Sequence, residues 1–79
     1  MSDKTKSMIS EINKNFRIVY QEKRPADQPR ARHLVGAGRL HLYIGEHNAQ
    51  RCTQKAWSSK EDKTEINLRK YGKVIFYTK

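Results

Sequence analysis

The sequence EINLRKYGKVIFYT at residues 65–78 predicts a β-hairpin. Its strands are residues 65–70 and 73–78, and a three-residue loop, Lys70-Tyr71-Gly72, joins them with Gly72 in the left-handed conformation. In this register the apolar side chains of both strands share one face, where they are buried together; they are Ile66, Leu68, Val74 and Phe76. A two-residue loop would shift the faces, and the sequence leaves both loops open.

The second strand of the hairpin is apolar on both faces over residues 74–77, VIFY. Such a strand is typical of the centre of a sheet with structure packed on each side. At the loop end, the predicted register sets Arg69 opposite Lys73, and like charges directly across a strand pair are destabilising. Because Lys70 lies in the loop, the hairpin tip is predicted to be strongly cationic, and the repulsion between its charges is predicted to destabilise the hairpin.

Upstream of the hairpin, residues 49–58 predict a helix. Asn48 precedes it and has a side chain that can cap the first turn. One narrow face of the helix carries small residues, which let its backbone approach a sheet closely; they are Ala49, Cys52 and Ala56. Trp57 lies at the edge of this face and is expected to close the core over the helix end.

Residues 39–44, RLHLYI, alternate between two sets of side chains with a period of two. This alternation predicts a second strand. One face of that strand would carry Arg39, His41 and Tyr43, and the other would carry Leu40, Leu42 and Ile44.

The N-terminal part predicts a helix, a strand and a loop. Apolar residues recur every three or four positions over a helix at residues 5–14, and alternation then predicts a strand at residues 16–22. Residues 23–38, KRPADQPRARHLVGAG, contain two prolines and two glycines and predict a long basic loop. Residues 1–6 are expected to be flexible.

The predicted fold class is therefore α+β, in the order α-β-β-α-β-β. We expect residues 1–79 to form one small domain, an antiparallel sheet of three to four strands with one packed helix and a short N-terminal helix. Hydrophobic residues make up 35% of the chain and charged residues 32%. So small a core predicts a fold that is marginally stable on its own.

The positive charge is concentrated in two segments. Seventeen Lys and Arg against eight Asp and Glu give a net charge of +9. Residues 23–39 and 65–79 contribute +4 and +3 of it, while residues 1–22 and 40–64 are each near neutral at +1. A charge run often only solvates a surface, but two such segments favour a surface that faces a polyanion.

The leading functional hypothesis is a small nucleic-acid-binding domain with little sequence preference. Its premise is that the cations of the basic loop and of the hairpin converge on one exposed patch. The predicted phosphate contacts are Lys23, Arg24, Arg30, Arg32, Arg39, Arg69, Lys70 and Lys73. The side chains predicted to stack on bases are His41, Tyr43 and Tyr71. The non-core sheet face is expected to carry Arg17, Asn67 and Tyr77 as well. DNA and RNA, single or double stranded, remain open.

Two other classes of function compete with this hypothesis. A protein-interaction module or homodimer would use the face with Val19 and Ile75, which the N-terminal helix or a second subunit could equally cover. A small ribonuclease or toxin would use imidazoles as general acid and base; the candidates are His33, His41 and His47. The sequence leans toward a protein that is not an enzyme.

No cofactor or metal is predicted. Gly36-Ala37-Gly38 lacks the third glycine of a dinucleotide fingerprint, the histidines lack metal-ligand spacing, and Cys52 is the only cysteine. A lone cysteine excludes an internal disulfide and favours a reducing cytoplasm. The sequence has no apolar run long enough to span a membrane, so no membrane partner is expected.

Overall fold

The fold is α+β, as the sequence predicts. A computed structural model describes residues 3–23, 27 and 31–79 of the chain. Within these residues the elements are α1 (Asp3–Asn15), β1 (Phe16–Glu22), β2 (Arg32–Val35), α2 (Ala37–Ile44), α3 (Glu46–Ser58), β3 (Lys63–Asn67) and β4 (Gly72–Thr78). The four strands form one antiparallel sheet in the order β2-β1-β4-β3.

The C-terminal hairpin gathers the apolar face that the sequence predicts. Ile66 pairs with Val74 and Thr64 pairs with Phe76, so the three apolar side chains of these pairs point toward the core. β4 lies between β1 and β3, which confirms its central position. Leu68, just after β3, packs against the same core.

The predicted loop of this hairpin is wrong in its bounds. β3 ends at Asn67, so Lys73 faces Asn67 and not Arg69. The Tyr71 amide donates a hydrogen bond to the Leu68 carbonyl at 2.8 Å, which closes a turn before Arg69 can join the ladder. Arg69 takes a positive φ of 37° in this turn. The predicted repulsion across the ladder is therefore absent.

Residues 39–44 are not a strand. They belong to α2, whose buried residues follow helical spacing; these are Ala37, Leu40, His41 and Ile44. Leu42, which a strand would have buried beside Leu40, is 84% exposed. The α2 start is held from α1, because the Asn13 side chain accepts a hydrogen bond from the Ala37 amide at 2.7 Å. Over so few residues the two periodicities are equally well formed, and packing selects the helix.

The missing strand lies inside the predicted basic loop. Residues 32–35 form β2, which pairs with β1 through Val19 and Leu34 among others. The end of the predicted 23–38 loop therefore belongs to β2 and α2. Proline and glycine density predicted a loop, but the run His33-Leu34-Val35 carries enough apolar surface to extend the sheet edge.

The two flanking helices agree with their predicted positions. α1 and α3 contain the predicted ranges 5–14 and 49–58, and the small face of α3 is buried. Residues 3–6, expected to be flexible, are the first turn of α1, and Met1 and Ser2 lie outside the described residues. Gly45, not Asn48, precedes α3, and the Asn48 amide group donates back to the Ile44 carbonyl at 2.9 Å. Trp57 is 56% exposed, and its ring centre lies 6.2 Å from that of Phe16, so it does not close the core as predicted.

One face of the sheet carries the core and the other is open. Ile12 of α1, Leu40 of α2 and Cys52 of α3 share one buried cluster with Ile18 and Phe76. Among the described residues, no helix covers the opposite face, so the expectation of structure on both sides of β4 is wrong. Ile75 on the open face is nevertheless only 3% exposed, since neighbouring strands place side chains directly beside it.

Candidate nucleic-acid interface

Both hairpin connections of the sheet lie at one end. Gln21 pairs with Arg32 on β2 and with Lys73 on β4. Glu22 pairs with Gly72, the first residue of β4. The chain therefore leaves β1 for β2 at the same end at which it enters β4 from β3. We call the cations at this place the basic end: Lys23, Arg32, Arg69, Lys70 and Lys73.

The cations of the basic end are available to a ligand. Four of them are exposed and Lys73 is half-buried. Among the described residues none of the five forms a salt bridge. The Lys70 ammonium lies 5.5 Å from the centre of the Tyr71 ring. The nearby Glu22 carboxylate is directed to the core side, 3.5 Å from His33. This end of the sheet therefore presents an excess of positive charge.

The open sheet face continues from the basic end. An aliphatic row crosses its middle, where Val19 lies between Leu34 and Ile75. Tyr77 pairs with Arg17 on one side and Lys63 on the other. Sequence analysis placed Arg17, Asn67 and Tyr77 on this face, but it missed Lys63, because the predicted strand began only at residue 65 whereas β3 begins at Lys63. In a strand that extends back from Ile66, every second side chain lies on the same face, so Lys63 and Glu65 would both have been assigned to the open face.

Among the described strand residues, the open face carries one carboxylate, that of Glu65. Glu65 lies 3.2 Å from the Lys63 ammonium. The hydrogen bond from Lys63, together with the charges of Lys63 and Lys73, lowers the pKa of Glu65 below its ordinary value. Its charge is offset by those neighbours, so the face as a whole stays cationic, with Arg17 and Arg32 on its other strands.

The remaining predicted phosphate contacts do not join the basic end. Arg39 is exposed on α2, in the layer of helices behind the sheet. Arg24 and Arg30 lie outside the described residues. All the described phosphate contacts predicted from the sequence therefore lie at the basic end except Arg39. The sequence analysis placed Arg39 on the sheet because it predicted a strand at residues 39–44.

The predicted stacking residues are also behind the sheet or buried. His41 is only 7% exposed, so it is not accessible to a base. Tyr43 stacks on Tyr20 with ring centres 5.4 Å apart, on the core side of the sheet. Tyr71 packs partly against the core, and its carbonyl accepts a hydrogen bond from the Tyr20 hydroxyl. Among the described residues, the aromatic ring on the open face is instead that of Tyr77, which is half-buried.

His41 is a buried imidazole without a polar partner. Neither ring nitrogen makes a hydrogen bond to any described residue. Burial lowers the pKa of His41 below its ordinary value of 6.5, and the charge of Glu46 opposes this effect. The imidazole is therefore held in its neutral form inside the core.

We expect the His41→Leu variant to lose most of the acid sensitivity of the wild-type fold. In the wild type, His41 binds a proton more readily in the unfolded chain than in the folded chain, because folding lowers its pKa. This group's contribution to stability is therefore complete above pH 6.5 and falls with pH below it, by at most about 1.4 kcal/mol per pH unit. Urea midpoints at neutral and mildly acidic pH measure the difference.

His47→Gln is the matched control, because His47 is exposed on α3. This variant should keep the wild-type dependence on pH. At neutral pH, His41→Leu should be as stable as the wild type or more stable by about 1 kcal/mol, since it removes unpaired polar atoms. Equal acid sensitivity in the His41→Leu variant and the wild type would show that His41 is not the responsible group.

The three histidines lie on three different elements. His33 lies on β2 with its ring 3.5 Å from the Glu22 carboxylate, His41 is a buried residue of α2, and His47 is exposed on α3. Within the described part of the chain, no cluster of His, Cys, Asp and Glu side chains is suited to hold a metal ion. Cys52 is a buried free thiol. The structure therefore does not bring the three histidines together at one site.

No family model, curated protein or solved structure matches this chain. None of the helices in the described ranges has the length and apolar character to cross a membrane.

Proposed function

We propose that this protein is a small cytoplasmic nucleic-acid-binding domain that holds a phosphate backbone at its basic end. One observation supports the proposal most: two hairpin connections, far apart in sequence, meet at the same end of the sheet, where five cations form no salt bridge with a described carboxylate. Cations clustered on one exposed surface supply the sequence-independent part of nucleic-acid affinity.

The open face extends the surface along the strands. Arg17 and Lys63 flank the ring of Tyr77, so a strand of nucleic acid crossing from the basic end meets cations and then an aromatic ring. Base stacking on aromatic side chains tolerates any sequence. The arrangement favours a binding domain with little base readout.

Titration of labelled single-stranded and duplex oligonucleotides at several salt concentrations tests the proposal. The logarithm of the binding constant should fall linearly with the logarithm of the salt concentration. The double variant Arg32→Gln/Lys73→Gln should reduce that slope by about 1.4 to 1.8, since each lost phosphate contact removes about 0.7 to 0.9. Its affinity at low salt should drop about tenfold or more.

The control variant is Lys14→Gln/Lys60→Gln, which carries the same net charge. Lys14 and Lys60 are exposed at the other end of the sheet, where Phe16 pairs with Thr78. This control should bind like the wild type. If both variants lose affinity equally, only net charge matters, and the basic end is not the site. Absence of binding to any oligonucleotide at low salt contradicts the proposal itself.

A homodimer through the open face is the second candidate function. Leu34 is 70% exposed on that face, and with Val19 and Ile75 it forms an aliphatic row that a second copy could cover. The four cations of the face would repel those of a second copy in the same position. Sedimentation at micromolar concentration separates the two functions: a dimer that a Leu34→Lys substitution dissociates, with oligonucleotide binding unchanged, favours assembly.

A further inference from the structure

A groove of 470 Å³ runs between α3 and the end of β3. We call it the α3–β3 groove. Its volume lies in the range of ordinary ligand sites. It is separate from the open sheet face, because α3 packs on the core side of the sheet. The residues that line it are Asn48, Arg51, Cys52, Lys55, Ile66, Asn67, Leu68, Arg69, Lys70 and Tyr71.

The floor of the groove is apolar. Cys52 and Ile66 are buried there, and Leu68 and Tyr71 are half-buried at its sides. Apolar surface that the fold leaves partly open gains free energy when a partner's side chain covers it. The floor has room for an aliphatic or aromatic side chain.

The rim of the groove is cationic on both sides. Arg51 and Lys55 lie one turn apart on α3, and Arg69 and Lys70 lie on the opposite turn. Among the described residues, no carboxylate lines the groove and none of the four cations forms a salt bridge. Like charges four residues apart on a helix are destabilising. Arg51 and Lys55 therefore repel each other at the rim of this groove, and an anionic ligand would relieve that repulsion.

The field of the rim reaches the floor. Burial raises the pKa of the Cys52 thiol, and the charges of Arg51 and Lys55 act in the opposite direction. An anionic group above Cys52 would therefore be stabilised by the same two charges.

The strand beside the groove is an edge of the sheet. β3 pairs only with β4 among the described strands, so its other side offers unpaired backbone groups. An extended peptide can add to such an edge while its side chains enter adjacent pockets. The exposed Lys63 and the shortness of β3 limit self-association through this edge.

We propose that the α3–β3 groove binds an extended acidic peptide of a protein partner, with one aliphatic or aromatic side chain in the floor and carboxylates on the rim. Charge complementarity selects the acidic flanks, and the aliphatic floor selects the anchor. The Lys70 ammonium over the Tyr71 ring occupies a face on which a base would have to stack. The groove is therefore better suited to a peptide than to a nucleotide.

The test uses a fluorescent peptide of about nine residues with Phe at its centre and Asp or Glu on both sides. A second peptide has Ser in place of Phe. We expect saturable binding of the Phe peptide and binding about tenfold weaker for the Ser peptide, since burial of the anchor is lost. The backbone amide signals of Ile66, Leu68 and Tyr71 should shift on titration. No binding of the Phe peptide, or equal binding of the two peptides, overturns the proposal.

The matched variants are Arg51→Gln/Lys55→Gln and the control Lys14→Gln/Lys60→Gln, both checked for folding by circular dichroism. The first should weaken the Phe peptide about tenfold or more, and the control should leave it unchanged. Oligonucleotide binding at the basic end should be the same in both. If Arg51→Gln/Lys55→Gln instead abolishes oligonucleotide binding and spares the peptide, the groove belongs to the nucleic-acid surface and the peptide proposal is wrong.

Discussion

A Gly72→Ala substitution should lower the free energy of unfolding by about 3 kcal/mol or more. Gly72 has a φ of 109°, which a residue with a side chain rarely adopts. A Cβ atom there would overlap the Gln21 carbonyl and lie 2.9 Å from the Lys23 amide nitrogen. Both obstacles are backbone atoms, one near the end of β1 and one directly after its end at Glu22, so neither can move aside without disturbing the β1–β4 ladder. The total free energy of unfolding of a small domain is only a few times as large as this loss.

Gly38→Ala is the control for this prediction. Gly38 lies in the first turn of α2 without a positive φ, and an added Cβ would make an ordinary contact of 3.9 Å with Ile9. This variant should be as stable as the wild type or more stable by about 0.5 to 1 kcal/mol, because alanine favours the helix. Urea denaturation of both variants measures the difference. Equal stability of the two would mean that β1 and β4 are not paired as described at this end.

A Phe76→Ala substitution should lower the free energy of unfolding by about 3 to 5 kcal/mol. Phe76 is 1% exposed and is the largest fully buried side chain. Its ring meets Phe16 edge to face, with centres 5.8 Å apart. Truncation therefore removes buried apolar area and leaves a cavity in the middle of the central strand. If the variant is unfolded in water, Phe76→Leu should keep the fold at a loss of about 1 to 2 kcal/mol.

Leu34→Ala is the comparison for Phe76, because Leu34 lies on the open face and is largely exposed. It should change stability by no more than about 0.5 kcal/mol. Chemical denaturation of the two variants thus measures which sheet face the helices cover. A large loss for Leu34→Ala would show that the open face is covered in solution, which would favour the homodimer over the nucleic-acid surface.

The fold explains how a chain with so much charge can form a core. Most of the cations lie at sheet ends, in turns or on the open face, while the helices close the opposite face with small and aliphatic side chains. Charge repulsion at the basic end is tolerated there because water screens it. Binding of a polyanion would relieve that repulsion, which is why stability and nucleic-acid binding should be coupled.

Periodicity predicted the elements that have a long or one-sided pattern. α1, β1, α3 and β4 agree with it, because each has enough residues to distinguish a period near 3.6 from a period of two. It failed at residues 39–44, where Leu40 and Ile44 satisfy both periods. It also failed at β2, whose few residues follow a segment rich in proline. Lys63 was missed for a related reason, since the start of β3 was placed too late.

The sequence by itself determined the class of fold, the central strand and the excess of positive charge in two segments, since these depend on composition and on repeating local patterns. Only the tertiary structure decided that 37–44 is a helix, that 32–35 completes the sheet, and that both hairpin connections meet at one end. The physical reason is that these features depend on contacts between distant residues. Asn13 holds the start of α2, and Gln21 pairs with both Arg32 and Lys73; no local pattern encodes either contact.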